Sequence, residues 1–97
     1  MVVRFFASLR EITQAKELQW DPCPSTLGEL LRRLSERYGP RFPRWVFDGE
    51  ALGNSVLVVI NGRDARHCGG LETRLASADV ISILPMMARG NGPRLKK

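Results

Sequence analysis

Apolar and mixed positions alternate from the second residue onward. Val3, Phe5, Ala7 and Leu9 fall on one face and Val2, Arg4, Phe6 and Ser8 on the other. This period of two predicts a strand over residues 2–9 with a fully apolar side turned to a core. A weaker alternation over residues 15–20, with Leu18 and Trp20 set among Glu17 and Gln19, predicts a second strand. Residues 10–14 would join the two as a wide hairpin loop, and Asp21-Pro22-Cys23-Pro24 would end the second strand, since proline cannot donate to a ladder.

The period then changes to that of a helix. Leu27, Leu30, Leu31, Leu34 and Tyr38 form one apolar stripe. Thr26 and Glu29 have the spacing of a capping box, which places Thr26 at the N-cap. Glu29–Arg33 and Arg32–Glu36 are opposite-charge pairs four residues apart on the outer side. Gly39 is expected just past the end, and Pro40 blocks continuation. Residues 40–55, with Pro40, Pro43, Gly49 and Gly53, read as irregular chain. Phe42, Trp45, Val46, Phe47 and Leu52 within it are too apolar to be left in water and should be tucked onto the body.

Val56-Leu57-Val58-Val59-Ile60 is an unbroken apolar, largely β-branched run, expected to be a strand buried on both faces. Asn61-Gly62 predicts a two-residue type I′ turn, with residues 63–66 returning as a short strand. Leu71, Leu75 and Ala78 would pin a single-turn segment, and residues 79–84 form the last strand, stopped by Pro85. Strand, strand, helix, strand, short strand, strand is not the alternation of a doubly wound sheet. One helix laid across a mixed four- to five-stranded sheet predicts an α+β two-layer domain.

The 97 residues suit a single domain able to bury roughly 65% of its unfolded surface. No apolar run approaches the length of a membrane span, and the N-terminus lacks the basic start and long apolar centre of a signal peptide. The net charge of +5 is concentrated at one end: Arg89, Arg94, Lys96 and Lys97 supply four of the charges, while residues 1–88 hold 11 basic and 10 acidic side chains. The chain therefore divides into a nearly neutral domain over residues 1–88 and a flexible basic tail over residues 89–97. A basic tail on a neutral body argues against nucleic acid as the partner, since that role calls for a basic stripe over folded surface.

Cys23 and Cys68 stand far apart, and His67 is the only histidine. That is too few ligands for a metal site, and none is expected. Two free thiols without a secretory signal point to a reducing, cytoplasmic compartment. His67-Cys68 reads as part of a turn before Gly69-Gly70 rather than as a catalytic pair, because no third group to orient the imidazole is in view.

Several segments taken in order resemble a known family. Phe5-Phe6-Ala7 followed by Leu9-Arg10-Glu11 is similar to the opening of the molybdopterin-synthase small subunit, a MoaD-type protein. Leu27 to Leu34 is similar to its helix, and Val58-Val59-Ile60-Asn61-Gly62 to its Val-x-Val-Asn-Gly turn. Leu75 to Val80 and then Ile83-Leu84-Pro85 resemble its closing strand and Pro-Pro-x-x-Gly-Gly end. The likeness spans residues 1–90 and points to the MoaD/ThiS family of ubiquitin-like sulfur carriers.

The resemblance implies a β-grasp, ubiquitin-like fold and a carrier with no catalytic side chains or bound cofactor. Its C-terminal glycine carboxylate would be adenylated by an ATP-using, E1-like partner of the MoeB or ThiF type and converted to a thiocarboxylate. The tail would then deliver sulfur inside a MoaE-type large synthase subunit. In this register Gly90 is the reactive position and Gly92 the second choice. Phe6, Pro85, Met86, Met87, Ala88 and Arg89 would contact partners, Phe6 from the sheet face opposite the helix.

Two departures bear on that chemistry. Arg89 stands where the family has glycine, and residues 91–97 follow Gly90, so its carbonyl lies in a peptide bond. Carrier function then requires a processing protease. Without one, the alternative is an interaction module of the same fold that has lost the Gly-Gly end. Gly69-Gly70 cannot substitute for that end, because cleavage there would remove the last strand.

Overall fold

The computed structural model describes residues 1–86. Its centre is a five-stranded sheet in the order β2-β1-β7-β5-β6, built from β1 (Val2–Phe5), β2 (Glu17–Gln19), β5 (Val56–Ile60), β6 (Arg63–Asp64) and β7 (Val80–Pro85). β1 and β7 run parallel in the middle, with Phe5 opposite Ile83, and the other pairings are antiparallel. The main helix α2 (Leu27–Tyr38) packs over one face. Its Leu27, Leu30, Leu31 and Leu34 are buried against Val3, Phe5, Val56, Val58, Ile81 and Ile83. This is the expected β-grasp arrangement, with the sheet at the upper end of the anticipated strand count.

The helix starts as its sequence requires. Thr26 Oγ1 accepts from the Glu29 N–H at 3.2 Å, an arrangement that typically contributes about 1 kcal/mol. The reciprocal bond lands one residue early: Ser25 N–H donates to the Glu29 carboxylate at 2.9 Å. That bond, helped by Arg33 at 3.0 Å, holds the Glu29 carboxyl below the usual carboxylate range. A depressed folded-state pKa means this support is present above the ordinary carboxylate pKa and fades as acid protonates the side chain. Arg32–Glu36 is not among the ion pairs of the described residues. Gly39 is needed for space rather than for a left-handed turn. Its φ is −54°, and a Cβ there would lie 2.5 Å from the Ser35 carbonyl oxygen.

Three sequence readings are corrected. The first strand stops at Phe5 rather than Leu9, because Ala7 turns at φ 52° and residues 8–13 form a helix, α1 (Ser8–Thr13). Leu9, Ile12 and Thr13 pack inward at helical spacing, so the connection read as a loop is a helical turn with its own core contacts. The stretch read as irregular holds α3 (Arg41–Val46) and a hairpin of β3 (Phe47–Asp48) and β4 (Ala51–Leu52). Pro43 does not prevent that helix, because it sits in the first turn, where no amide hydrogen is required. Phe42, Trp45 and Val46 are buried as expected, and Leu52 with them.

The third correction concerns β5. Its burial alternates: Val56, Val58 and Ile60 face the core, whereas Leu57 and Val59 are half-exposed. A single helical layer covers only one face of a sheet.

The remaining turns follow their chemistry. Asn61 and Gly62 both have positive φ, 51° and 87°, as a type I′ turn demands. Residues 63–66 return only as far as Asp64 before the 3₁₀ turn Ala65–His67. Leu71 lies in the 3₁₀ turn Gly70–Glu72 and packs with Leu75 against the core. Arg66 ties this side together, its guanidinium donating to the carbonyls of Leu52, Gly53 and Val56. No helix among the described residues is long and apolar enough to cross a membrane.

Candidate functional site

β7 runs along the centre of the sheet and carries the chain to its end, so the root of the tail is set by what holds β7. At its start, Asn61 reaches across from the β5–β6 turn. Its Nδ2 donates to Asp79 at 2.8 Å, and its Oδ1 accepts from the Val80 N–H at 2.9 Å. Two segments that looked separately family-like, Asn61-Gly62 and Asp79-Val80, therefore contact one another and fix where β7 begins. At its far end Pro85 lies opposite Val56, and the Met86 N–H donates to Ser55 O at 2.7 Å. Beyond Met86 the chain leaves the described region.

The face of the sheet away from α2 carries a second feature. Leu57 and Leu84 are cross-strand neighbours, Val59 lies beside Ser82, and Val2 beside Val80. Continuing the parallel register one step sets Phe6 beside Leu84, consistent with the Phe6 N–H bond to Ile83 O at 3.2 Å. Phe6, Leu57, Val59 and Leu84 are all half-exposed, and none packs with the core cluster. The Arg10 guanidinium lies 5.6 Å from the Phe6 ring centroid. Next to them Met86 is 46% exposed, the large apolar residue that stands out on the surface. The Arg4–Glu17 ion pair borders the patch at 3.1 Å. The outer face is thus an apolar strip with a polar margin, running to the tail root.

Of the residues proposed from sequence to meet partners, Phe6 lies on the outer face, Pro85 pairs with Val56 at the end of β7, and Met86 follows it, exposed. Met87, Ala88, Arg89, Gly90 and Gly92 lie outside the described residues, as does the 88/89 boundary between domain and tail. Leu57 and Leu84 were missed as surface residues. Their signal was present: an unbroken apolar strand beside a chain with one long helix has more apolar faces than that helix can cover.

The other candidates are turns. His67 and Cys68 are both exposed, Cys68 follows the 3₁₀ turn, and both thiols are free. Gly69 and Gly70 have φ of 120° and 59° and open the next turn. No group of three or more His, Cys, Asp or Glu among the described residues could hold a metal ion.

The sequence model of the ThiS family matches residues 3–90. The chain belongs to the ThiS family. Small archaeal modifier protein 3 of Haloferax volcanii is 36% identical over 89 residues, covering 91% of this chain and 96% of that protein. Among solved structures, small archaeal modifier protein 1 of Methanosarcina acetivorans superposes with a TM-score of 0.78 at 33% identity, over 92% of this chain and 94% of that one. The BexX/CysO complex of Amycolatopsis orientalis contains a chain that superposes with a TM-score of 0.77 at 28% identity, over 92% of this ThiS-family chain and 98% of the other. The family consists of small ubiquitin-like carrier and modifier proteins.

Proposed function

We propose that this ThiS-family protein is a sulfur carrier that acts through the carboxyl end of Gly90 after residues 91–97 are removed, with Gly92 as the second possible end. The observation that carries this is where the family match stops. It runs to residue 90, the glycine that the Pro85 register selects, and this supports the reading. The chemistry is an ATP-dependent adenylation of that carboxylate by an E1-like partner, followed by sulfide displacing AMP. The carrier needs no catalytic side chain for it. Its contribution is a thin end, in which glycine has no Cβ to obstruct a narrow channel, and a surface that docks the activating enzyme.

The apolar strip suits that docking role, because an enzyme that takes the tail must also cover the sheet end from which the tail emerges. Leu57→Lys is expected to weaken binding to the activating enzyme by about 10-fold or more, the loss of a central apolar contact. Leu57 is half-exposed on the outer face, so thermal unfolding should be nearly unchanged. Unaltered affinity with the fold intact would remove the strip from the interface.

Molybdopterin as the sulfur acceptor rests on Phe5-Phe6-Ala7 and Leu9-Arg10-Glu11, and these residues have structural work. Phe5 and Leu9 are fully buried, and Arg10 Nε donates to Phe5 O at 3.0 Å. Phe5, Leu9 and Arg10 thus build the β1–α1 corner, a structural role that does not itself point to an acceptor. The relatives named above are modifiers and a CysO chain, so the reading extends to sulfur transfer and conjugation generally, with a MoaE-type partner as one case. Intact-mass measurement on protein recovered from its host tests it. The expected species ends at Gly90 or Gly92 and carries sulfur in place of one carboxyl oxygen. Full-length chain alone, under conditions of active sulfur transfer, would support the non-carrier interaction module instead.

A further inference from the structure

The clasp between the β5–β6 turn and the start of β7 contains a reactive pair. Asn61 is followed by Gly62, and both are exposed. The carbon of an asparagine side-chain amide is open to attack by the main-chain nitrogen of the next residue. Glycine, with no Cβ, leaves that nitrogen least obstructed. A Cβ built at Gly62 would meet nothing within 4 Å, so no neighbouring residue covers this side of the turn. Asn54 is also exposed, but Ser55 follows it, and a side chain stands beside its nitrogen.

Hydrogen bonds at both ends of the amide restrain it. Asn61 Nδ2 donates to Asp79 Oδ1 at 2.8 Å, and Asn61 Oδ1 accepts from the Val80 N–H at 2.9 Å. The Asn61 N–H donates in turn to Val80 O at 3.0 Å. Asp79 is itself fixed, because its Oδ2 accepts from the Ala76 N–H at 2.8 Å. Attack requires the amide to turn its face to the Gly62 nitrogen and Nδ2 to depart. While residues 79 and 80 hold Nδ2 and Oδ1, neither motion is free.

We propose that Asn61 is a self-modification site, where the chain closes a succinimide with Gly62 and opens it to aspartate or isoaspartate, and that the Asp79–Val80 clasp gates the reaction. The Gly62 nitrogen loses its proton and attacks Asn61 Cγ. A C–N bond forms, the Cγ–Nδ2 bond breaks, and Nδ2 leaves as ammonia with the bonding pair and the proton that Gly62 gave up. Water then adds to either ring carbonyl and breaks its bond to the ring nitrogen, which regains a proton. The sum is an amide and water giving a carboxylic acid and ammonia. Once made, the change does not reverse. A carboxylate oxygen replaces the donor to Asp79, so two negative groups face each other where a 2.8 Å hydrogen bond stood, and they repel. Isoaspartate also adds a carbon to the main chain inside a tight turn. Either product releases the start of β7, the strand whose other end carries Pro85. The device is independent of sulfur transfer.

The test follows the full-length chain over days at mildly alkaline pH by tryptic mapping. Trypsin cuts behind Arg44 and Arg63, so Asn54 and Asn61 share a peptide and are told apart by its fragmentation, while Asn91-Gly92 falls in another. Asp79→Ala, verified as folded by circular dichroism, should convert Asn61 about 5- to 10-fold faster than folded wild type, the effect of releasing one hydrogen bond. Asp79→Asn, whose amide oxygen can accept the same bond, should stay near the wild-type rate. Wild-type chain unfolded in guanidinium gives the ungated rate and should be faster than the folded chain. No conversion at Asn61 in the unfolded chain would overturn the site. Equal rates in folded and unfolded wild type would overturn the gate without recourse to any variant, as would equal acceleration by both substitutions. Asn61→Asp installs the product directly, and its urea midpoint should lie below that of wild type. An unchanged midpoint would overturn the release of β7.

Discussion

Protein ending at Gly90 is expected to support ATP–pyrophosphate exchange by its E1-like partner, whereas the chain ending at Lys97 should give only background. The reason is electronic and steric together. Adenylation requires a carboxylate oxygen to attack the α-phosphate, and a peptide carbonyl carries no such charge. In the long form the Gly90 carbonyl is an amide, and the carboxylate that does exist follows Pro93, Arg94, Leu95, Lys96 and Lys97. Those side chains do not suit a channel shaped for a thin end. The two forms should differ little in stability, because β7 and its Met86 anchor to Ser55 precede the cut. Equal exchange by both forms would show that the extension is no barrier, and the processing step would fall with it. Arg89 makes a second, graded contribution. Arg89→Gly in the shortened chain should raise exchange, because it restores the small residue that the family pattern carries there.

Phe42→Ala should destabilise the fold by about 3–5 kcal/mol, read as a lowered urea midpoint at unchanged slope. Phe42 is fully buried in α3. Its ring meets Phe5 edge-on at 6.1 Å between centroids and lies 6.1 Å from Tyr38, while Phe5 and Tyr38 are themselves 6.1 Å apart. The three rings join α3, the sheet and the C-terminal end of α2. Truncation removes both burial and favourable edge contacts. For a domain whose whole stability is of the order of 5–15 kcal/mol, this is a large part of the total. A loss under 1 kcal/mol would mean that α3 is a peripheral flap rather than a wall of the core.

The segment containing Phe42 also shows where the sequence ceased to be legible. Pro40, Pro43, Gly49 and Gly53 read as interruptions of an irregular stretch, yet two of them belong to regular structure. Pro43 falls in the first turn of α3, and Gly49, at φ 64°, makes the β3–β4 turn. Residues 8–13 failed differently. Their alternation up to Leu9 is real, but Leu9, Ile12 and Thr13 also satisfy a helical spacing, and six residues are too few for either period to exclude the other. The α2 helix and the β5–β6 turn were read correctly because several local signals agree there. Cap, stripe and stop specify the one, and an apolar run followed by Asn-Gly specifies the other.

By itself the sequence determined the element types wherever local chemistry is strong, the main helix with its Thr26 cap, the last strand and the concentration of charge at the chain's end. Each of these follows from spacing along the chain. The tertiary structure alone decided which apolar residues remain on the surface and which distant groups meet. Leu57 and Val58 are adjacent and equally apolar, yet only Val58 faces α2, because one helix covers one side of the sheet. Pairing of β1 with β2 likewise sets the Met1 amine 3.3 Å from Trp20 O and 3.7 Å from the Asp21 carboxylate, partners about twenty residues away along the chain.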